Sequence, residues 1–143
     1  MKTLAQLLAG KRPGVLTVDA EEMVLHALSQ MAVEDVGALL VMTGGKPVGI
    51  FTERDYARKV VLRGKASKTT QVREIMTPKV ISVELTQTVE ECMAIMTERR
   101  IRHLPVIGAD GAVVGLLSIG DLVKETIAEQ AFIIGQLEHY ITH

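Results

Sequence analysis

Tryptophan is absent from this chain, and two tyrosines with two phenylalanines bring the aromatic content to only 3%. That is too few for the stacking platforms that hold single-stranded nucleic acid. Charge of one sign is also missing. Sixteen Lys and Arg against 17 Asp and Glu leave a formal net charge of −1, so no global field draws the protein to nucleic acid or an anionic membrane. The single cysteine, Cys92, excludes an internal disulfide framework and a cysteine-cluster zinc site. It also fits a reducing, cytoplasmic setting. No apolar run approaches the length needed to span a bilayer. Residues 1–12 lack the apolar core and small-residue cleavage site of a secretory signal. Leu4, Leu7 and Leu8 sit there at helical spacing, which predicts a short amphipathic helix. Neither nucleic acid nor membrane is expected as a partner. What is present is ordinary globular material: 143 residues, 48% hydrophobic and 23% charged, enough for one domain or two half-sized units sharing a core.

The chain repeats itself. Thr17 aligns with Ser82, 65 positions on. Val18 then meets Val83, Val24 meets Val89, Met31 meets Met96, Leu39 meets Leu104 and Val41 meets Val106. One residue is inserted in the turn around Gly108 to Gly111, after which Gly49 meets Gly115, Thr52 meets Ser118 and Asp55 meets Asp121. Loops tolerate such insertions. Each copy reads as a short apolar strand (residues 15–18; 80–83), an amphipathic helix, a buried strand (38–42; 103–107), a Gly-containing turn, a second apolar strand (48–51; 113–117) and another helix. The helix faces are Met23, Val24, Ala27, Leu28 and Met31 in the first copy, and Val89, Cys92, Met93 and Met96 in the second. The fold class expected is α+β, with two β-α-β-β-α repeats packed sheet to sheet, a short N-terminal helix and a long C-terminal helix. Residues 1–70 form the first repeat with the N-terminal helix and a linker, and 71–143 the second with the C-terminal helix. Residues 62–73, polar and rich in Lys and Thr, read as a linker loop. In the last helix Val123, Ile127, Ile134, Leu137 and Ile141 recur at near-heptad spacing, a stripe that a second chain would cover as a homodimer.

Two segments carry the chemistry. Residues 49–55 and 115–121 both read Gly, two apolar residues, Thr or Ser, two further residues, Asp, at a strand-to-helix corner. Backbone N–H groups at a helix start lack partners and the local dipole is positive, which suits an anion such as phosphate. The Thr52 or Ser118 hydroxyl can donate to a phosphate oxygen, and Asp55 or Asp121, one turn later, can accept two hydroxyl protons of a ribose. The same spacing is a helix capping box. Both copies keep the glycine as well, and capping does not demand Asp over Glu. Arg102 and His103, with Pro105 close behind, open an apolar strand. Guanidinium suits bidentate phosphate binding and His103 could donate beside it. The first copy has Gly37 and Ala38 at those positions, so the second corner is the better equipped for phosphate. The run Arg54, Arg58, Lys59, Arg63, Lys65 and Lys68 reads as a solvated face or a polyphosphate path. No nucleophile, carboxylate cluster or phosphate-loop motif is evident, so the chain is not expected to be an enzyme. Cys92 falls in an apolar stripe and reads as core.

On these residues the chain resembles a tandem CBS domain pair, or Bateman module, over residues 13–127. Residues 50–59 and the C-terminal Glu138, His139 and Tyr140 are similar to small bacterial and plant organellar proteins of that family. The resemblance implies a stand-alone regulatory module binding AMP, ADP or ATP, or else NAD(H) or S-adenosylmethionine, in clefts between two sheets. It implies that Asp55 and Asp121 hold the ribose and that Thr52 and Ser118 serve the phosphate. Leu16, Thr17, Ile81 and Ser82 would flank the adenine, with Gly37, Ala38, Arg102 and His103 at the strand entries. Ligand binding would change the conformation that an unidentified target protein reads. The other reading is a structural or assembly module that dimerises and keeps only vestigial ligand sites.

Overall fold

Continuous apolar runs in the middle strands, residues 38–42 and 104–107, each followed by a tight turn and a second apolar strand, set up both sheets. In the computed structural model, which describes residues 2–11, 14–78 and 80–142, the chain divides into two units. The first comprises Gly14–Ile81, and the other Ser82–His143 together with Met1–Pro13. The elements in chain order are α1 (Leu4–Ala9), β1 (Thr17–Asp19), α2 (Val24–Glu34), β2 (Ala38–Thr43), β3 (Lys46–Thr52), α3 (Glu53–Tyr56), a π-helical turn (Ala57–Val61), α4 (Val72–Ile75), β4 (Val83–Glu84), α5 (Val89–Arg99), β5 (His103–Ile107), β6 (Val113–Ser118) and α6 (Ile119–Thr142). No described helix is long and apolar enough to cross a membrane.

The expected α+β repeats are present, each with its own three-stranded sheet of order β1-β2-β3 or β4-β5-β6. In both, the first pair is parallel and the second antiparallel. The duplication extends to irregularities. The antiparallel register slips between Val41 and Met42 in one sheet and between Val106 and Ile107 in the other. Both α2 and α5 end in a left-handed residue, Asp35 and Arg100, each at φ 55°. Gly44 and Gly45 join β2 to β3 with φ of 56° and 78°, the paired positive values that a two-residue hairpin of matching twist requires.

In Gly14–Ile81 the core is Val18, Val24, Ala27 and Met31 against Leu39, Val41 and Phe51, closed by Val60, Val72 and Ile75. In the other unit Val83, Val89, Cys92, Met96, Leu104, Val106, Leu117 and Leu122 are buried, together with Leu4 and Leu7 of α1. Met23, read from spacing as part of the α2 core face, is 38% exposed because it is the N-cap, where the chain is still extended.

Two placements differ from the sequence reading. Residues 62–73 are not simply a linker. Thr70 is buried, Val24 N–H donates to its carbonyl at 2.8 Å, and Val72 and Arg73 N–H donate to the carbonyls of Glu22 and Ala20, each at 2.8 Å. The stretch thus satisfies the open N-terminus of α2, and α4 follows it into the core. Helix α1, assigned from the sequence to the first repeat, is built into the second-repeat unit instead. Leu4 and Ala5 N–H donate to Gln87 O (2.9 Å) and Leu85 O (3.1 Å), and Val89 N–H donates to Lys2 O (3.0 Å). These are the α4 contacts again, shifted by 68 positions on the helix side and 65 on the other. Helix α1 does for one unit what α4 does for the other.

Close approach of those helices explains the paired glycines. A Cβ on Gly49 would meet Met76 Sδ at 2.6 Å and the Thr77 backbone oxygen at 2.8 Å, whereas one on Gly115 would meet only the end of the Leu8 side chain, at 3.1 Å. Gly49→Ala is therefore expected to destabilise by about 1–3 kcal/mol through overpacking. Gly115→Ala should cost under about 1 kcal/mol, since Leu8 can turn aside. Urea unfolding of the two variants measures the difference.

Candidate functional site

Both corners form where a β-strand runs straight into a helix. At the first, Asp55 N–H donates to Thr52 Oγ1 (3.1 Å), while Thr52 N–H and the Thr52 hydroxyl donate to Asp55 Oδ2 at 3.0 and 3.1 Å. At the second, Asp121 N–H donates to Ser118 Oγ (3.1 Å) and Ser118 N–H to Asp121 Oδ2 (2.9 Å). Both corners are thus capping boxes in geometry. The strand entries lie beside them. Ala38 pairs with Thr52 and His103 with Ser118. The carbonyls of Gly37 and Arg102 accept the first helical N–H, from Glu53 (3.1 Å) and Ile119 (2.9 Å). Gly37, Ala38 and Thr52 therefore converge, as do Arg102, His103 and Ser118.

The remaining expected residues are spread along the sheet edges. Thr17 starts β1 opposite Leu40, and the carbonyl of Leu16 accepts from Leu40 N–H at 3.1 Å. Pro105 stands at the matching place in β5 and has no N–H to give. Ile81 and Ser82 come just before β4, which is only two residues long. Arg54 is exposed on α3, as are Arg58, Arg63 and Lys68 beyond it.

Sequence reasoning missed three partners. Lys59, one turn after Asp55, places Nζ 3.0 Å from Asp55 Oδ1 and also donates to Ile75 O (3.2 Å). The Thr77 hydroxyl donates to the same Oδ1 at 3.1 Å. Lys11, far away in sequence, places Nζ 2.8 Å from Asp121 Oδ2. The Asp-to-Lys spacing of four was a usable signal for Lys59; no local pattern joins Lys11 to Asp121.

The corners differ in electrostatics and access. Asp55 is 6% exposed. The Asp121 side chain keeps 28% of its surface in water. Partial burial pushes the Asp121 carboxyl up, but hydrogen bonds from Lys11 and from the Ser118 backbone, the Lys11 charge and the Ser118 hydroxyl together hold it below the ordinary carboxylate value. It is therefore ionised at neutral pH, as an acceptor of sugar hydroxyl protons must be.

Elsewhere the chemistry is quiet. Burial, helped by the neighbouring Glu91, raises the Cys92 thiol from 9.0 to about 11. Native protein is expected to leave Cys92 unmodified by a disulfide reagent at pH 8, with full reaction on unfolding; absorbance of the released thiolate reads this directly. Among the described residues no group of three or more His, Cys, Asp and Glu side chains could hold a metal ion.

Comparison with known proteins identifies the family and the fold. The model of the CBS domain family fits the chain twice, over residues 11–62 and 72–127. The mitochondrial CBS domain-containing protein CBSX3 of Arabidopsis thaliana is 40% identical over 126 residues, covering 85% of this chain and 61% of its own. The chain spans about three fifths of the length of the first curated relatives it matches. Among solved structures, a protein with CBS domains from Burkholderia ambifaria is 52% identical, with a TM-score of 0.85 over 90% of this chain and 96% of its own. A CBS domain protein from Pyrobaculum aerophilum, solved in complex with AMP, is 26% identical, with a TM-score of 0.73 over 84% of this chain and 89% of its own.

Proposed function

The chain belongs to the CBS domain family as a tandem pair, and from that premise we propose that it is a regulatory module that binds an adenine nucleotide. The observation that carries this reading is the partly exposed Asp121 carboxyl at the head of α6, with the Ser118 hydroxyl one turn before it and the Arg102–His103 strand entry alongside. A ribose diol requires a carboxylate acceptor, and a phosphate requires donors beside it. The corner supplies both within one turn of chain. That a neighbour of the same fold holds AMP supports adenine as the base. The nucleotide would act by favouring one arrangement of the module over another, which a target protein reads. AMP is the ligand proposed, with ADP, ATP, NAD(H) and S-adenosylmethionine sharing the chemistry it needs.

Thermal denaturation of the intact chain tests this. At a nucleotide concentration about 100 times Kd the stabilisation is about 2.7 kcal/mol, which for a chain of this size raises Tm by roughly 5–10 °C. No rise with any adenosine compound would overturn the reading.

A second reading, an assembly module, rests on α6. The family match ends at residue 127, yet α6 runs on to Thr142. Over that extension Phe132, Ile134, Leu137, Tyr140 and Ile141 leave 55–82% of their surface exposed. Ile127, Ile134, Leu137 and Ile141 repeat at heptad spacing, the pattern of a helix that pairs with another. We propose that the chain forms a homodimer through this stripe. Truncation after Ile127 is expected to convert dimer to monomer in sedimentation velocity, without unfolding either repeat. A truncated chain that remains dimeric would remove α6 from the interface.

A further inference from the structure

We propose that the two corners have parted roles: the one built on Asp55 is a closed structural joint, and the one built on Asp121 is the single sugar-binding site of the chain, with Lys11 as its ammonium group. The proposal rests on the nucleotide reading above and goes beyond it by fixing the number of ligands and adding a residue to the site.

Counting acceptor positions separates the corners. A carboxylate has about four lone-pair positions on two oxygens. Asp55 has filled them: Oδ2 takes the Thr52 N–H and hydroxyl, while Oδ1 takes the Thr77 hydroxyl and the Lys59 ammonium. A ribose diol arriving there would have to evict two of these, from a side chain that is almost wholly buried. Lys59 is held from its other side by the Ile75 carbonyl, so it is not a mobile cap. The joint ties α3 and the π-helical turn to α4 and to Thr77, whose backbone in turn exchanges N–H···O bonds with Ile50 at 2.9 and 3.0 Å.

Asp121 is arranged otherwise. Its partners Ser118 N–H and Lys11 Nζ both meet Oδ2 and the Ser118 hydroxyl lies beside the carboxylate, but among the described residues nothing corresponds to the hydroxyl and ammonium that fill Asp55 Oδ1. The position equivalent to Thr77 is Ala9, which has no hydroxyl to offer, and the position equivalent to Lys59 is Glu125, which pairs with Lys2 at 2.8 Å instead. The two groups that close the first corner are thus absent from the second. In their place stands Lys11, whose side chain is 38% exposed. A diol on Oδ1 sits next to that ammonium, within swinging reach of the phosphate attached to the same sugar.

Isothermal titration of the intact chain with AMP and with ATP tests the proposal. One nucleotide per chain is expected. Thr77→Val and Asp55→Asn should lower Tm yet leave Kd within about 2-fold. Lys11→Met should weaken ATP by about 10-fold or more, the effect of losing one hydrogen-bonded charge from a phosphate. Two nucleotides per chain would overturn the single-site assignment while leaving the nucleotide reading intact. So would one nucleotide whose binding is lost in folded Thr77→Val and untouched in Lys11→Met. No heat with wild-type protein would overturn the nucleotide reading and this proposal with it.

Discussion

Asp121→Asn is expected to cut the nucleotide-induced rise in Tm to about half or less while moving the Tm of the ligand-free protein by no more than about 3 °C. Ser118 is the N-cap and is unchanged, and the asparagine carbonyl oxygen at N3 can still accept the Ser118 N–H, so the box survives in the variant. The ion pair to Lys11, with side chains 28% and 38% exposed, is worth no more than about 1 kcal/mol in water. Ligand binding loses far more. The amide has one acceptor oxygen in place of two and no charge, and with that oxygen kept for the Ser118 N–H and Lys11 its NH2 group faces the sugar hydroxyls in place of an acceptor. Loss of a charge-assisted pair of hydrogen bonds costs about 1.5–3 kcal/mol, or 10- to 150-fold in Kd. Differential scanning fluorimetry with and without AMP measures both quantities on one plate. An undiminished rise in the variant would place the sugar elsewhere.

The largest expected effect on folding comes from α1. Leu4 is fully buried and Leu7 nearly so, and α1 is bonded to the loop before α5 at Gln87 and Leu85. Leu4→Ala should destabilise by about 2–5 kcal/mol, the range for emptying a filled core position. That is a large share of the 5–15 kcal/mol typical of a domain. The loss is also localised. Hydrogen exchange should accelerate in α5, β5 and β6, the elements whose unit α1 completes, before it does so in α2 and β2. The reverse order would mean that α1 belongs with the first repeat, as its place in the sequence suggests.

That contrast shows what sequence patterns reveal. The β-α-β-β-α order, the bulk of both helix faces and the limits of β5 were legible, because hydrophobic period and turn residues act over a few positions. The strand-entry residues and the two corners were legible because each is a local run of chain. Residues 62–73 looked like a linker because their side chains are polar. Their role is carried by the backbone carbonyl of Thr70 and the N–H groups of Val72 and Arg73, which composition does not report. The home of α1 was hidden for a related reason. An internal repeat shows which segments are equivalent, not which copy of a segment packs on which core. The 68-residue match of Thr3, Leu4 and Gln6 to Gln71, Val72 and Glu74, both capping boxes, was present in the sequence but too short to stand out. The inequality of Asp55 and Asp121 lay in partners up to 110 positions away. Two identical motifs thus read alike although their surroundings differ.

The nucleotide-binding assignment to the second corner meets its most direct test in the backbone amide spectrum of isotopically labelled protein titrated with AMP. Saturable shifts at Ser118, Ile119 and Asp121, with Thr52 to Asp55 left in place, are the result expected. A spectrum that stays unchanged to millimolar AMP, or shifts confined to the first repeat, would contradict it.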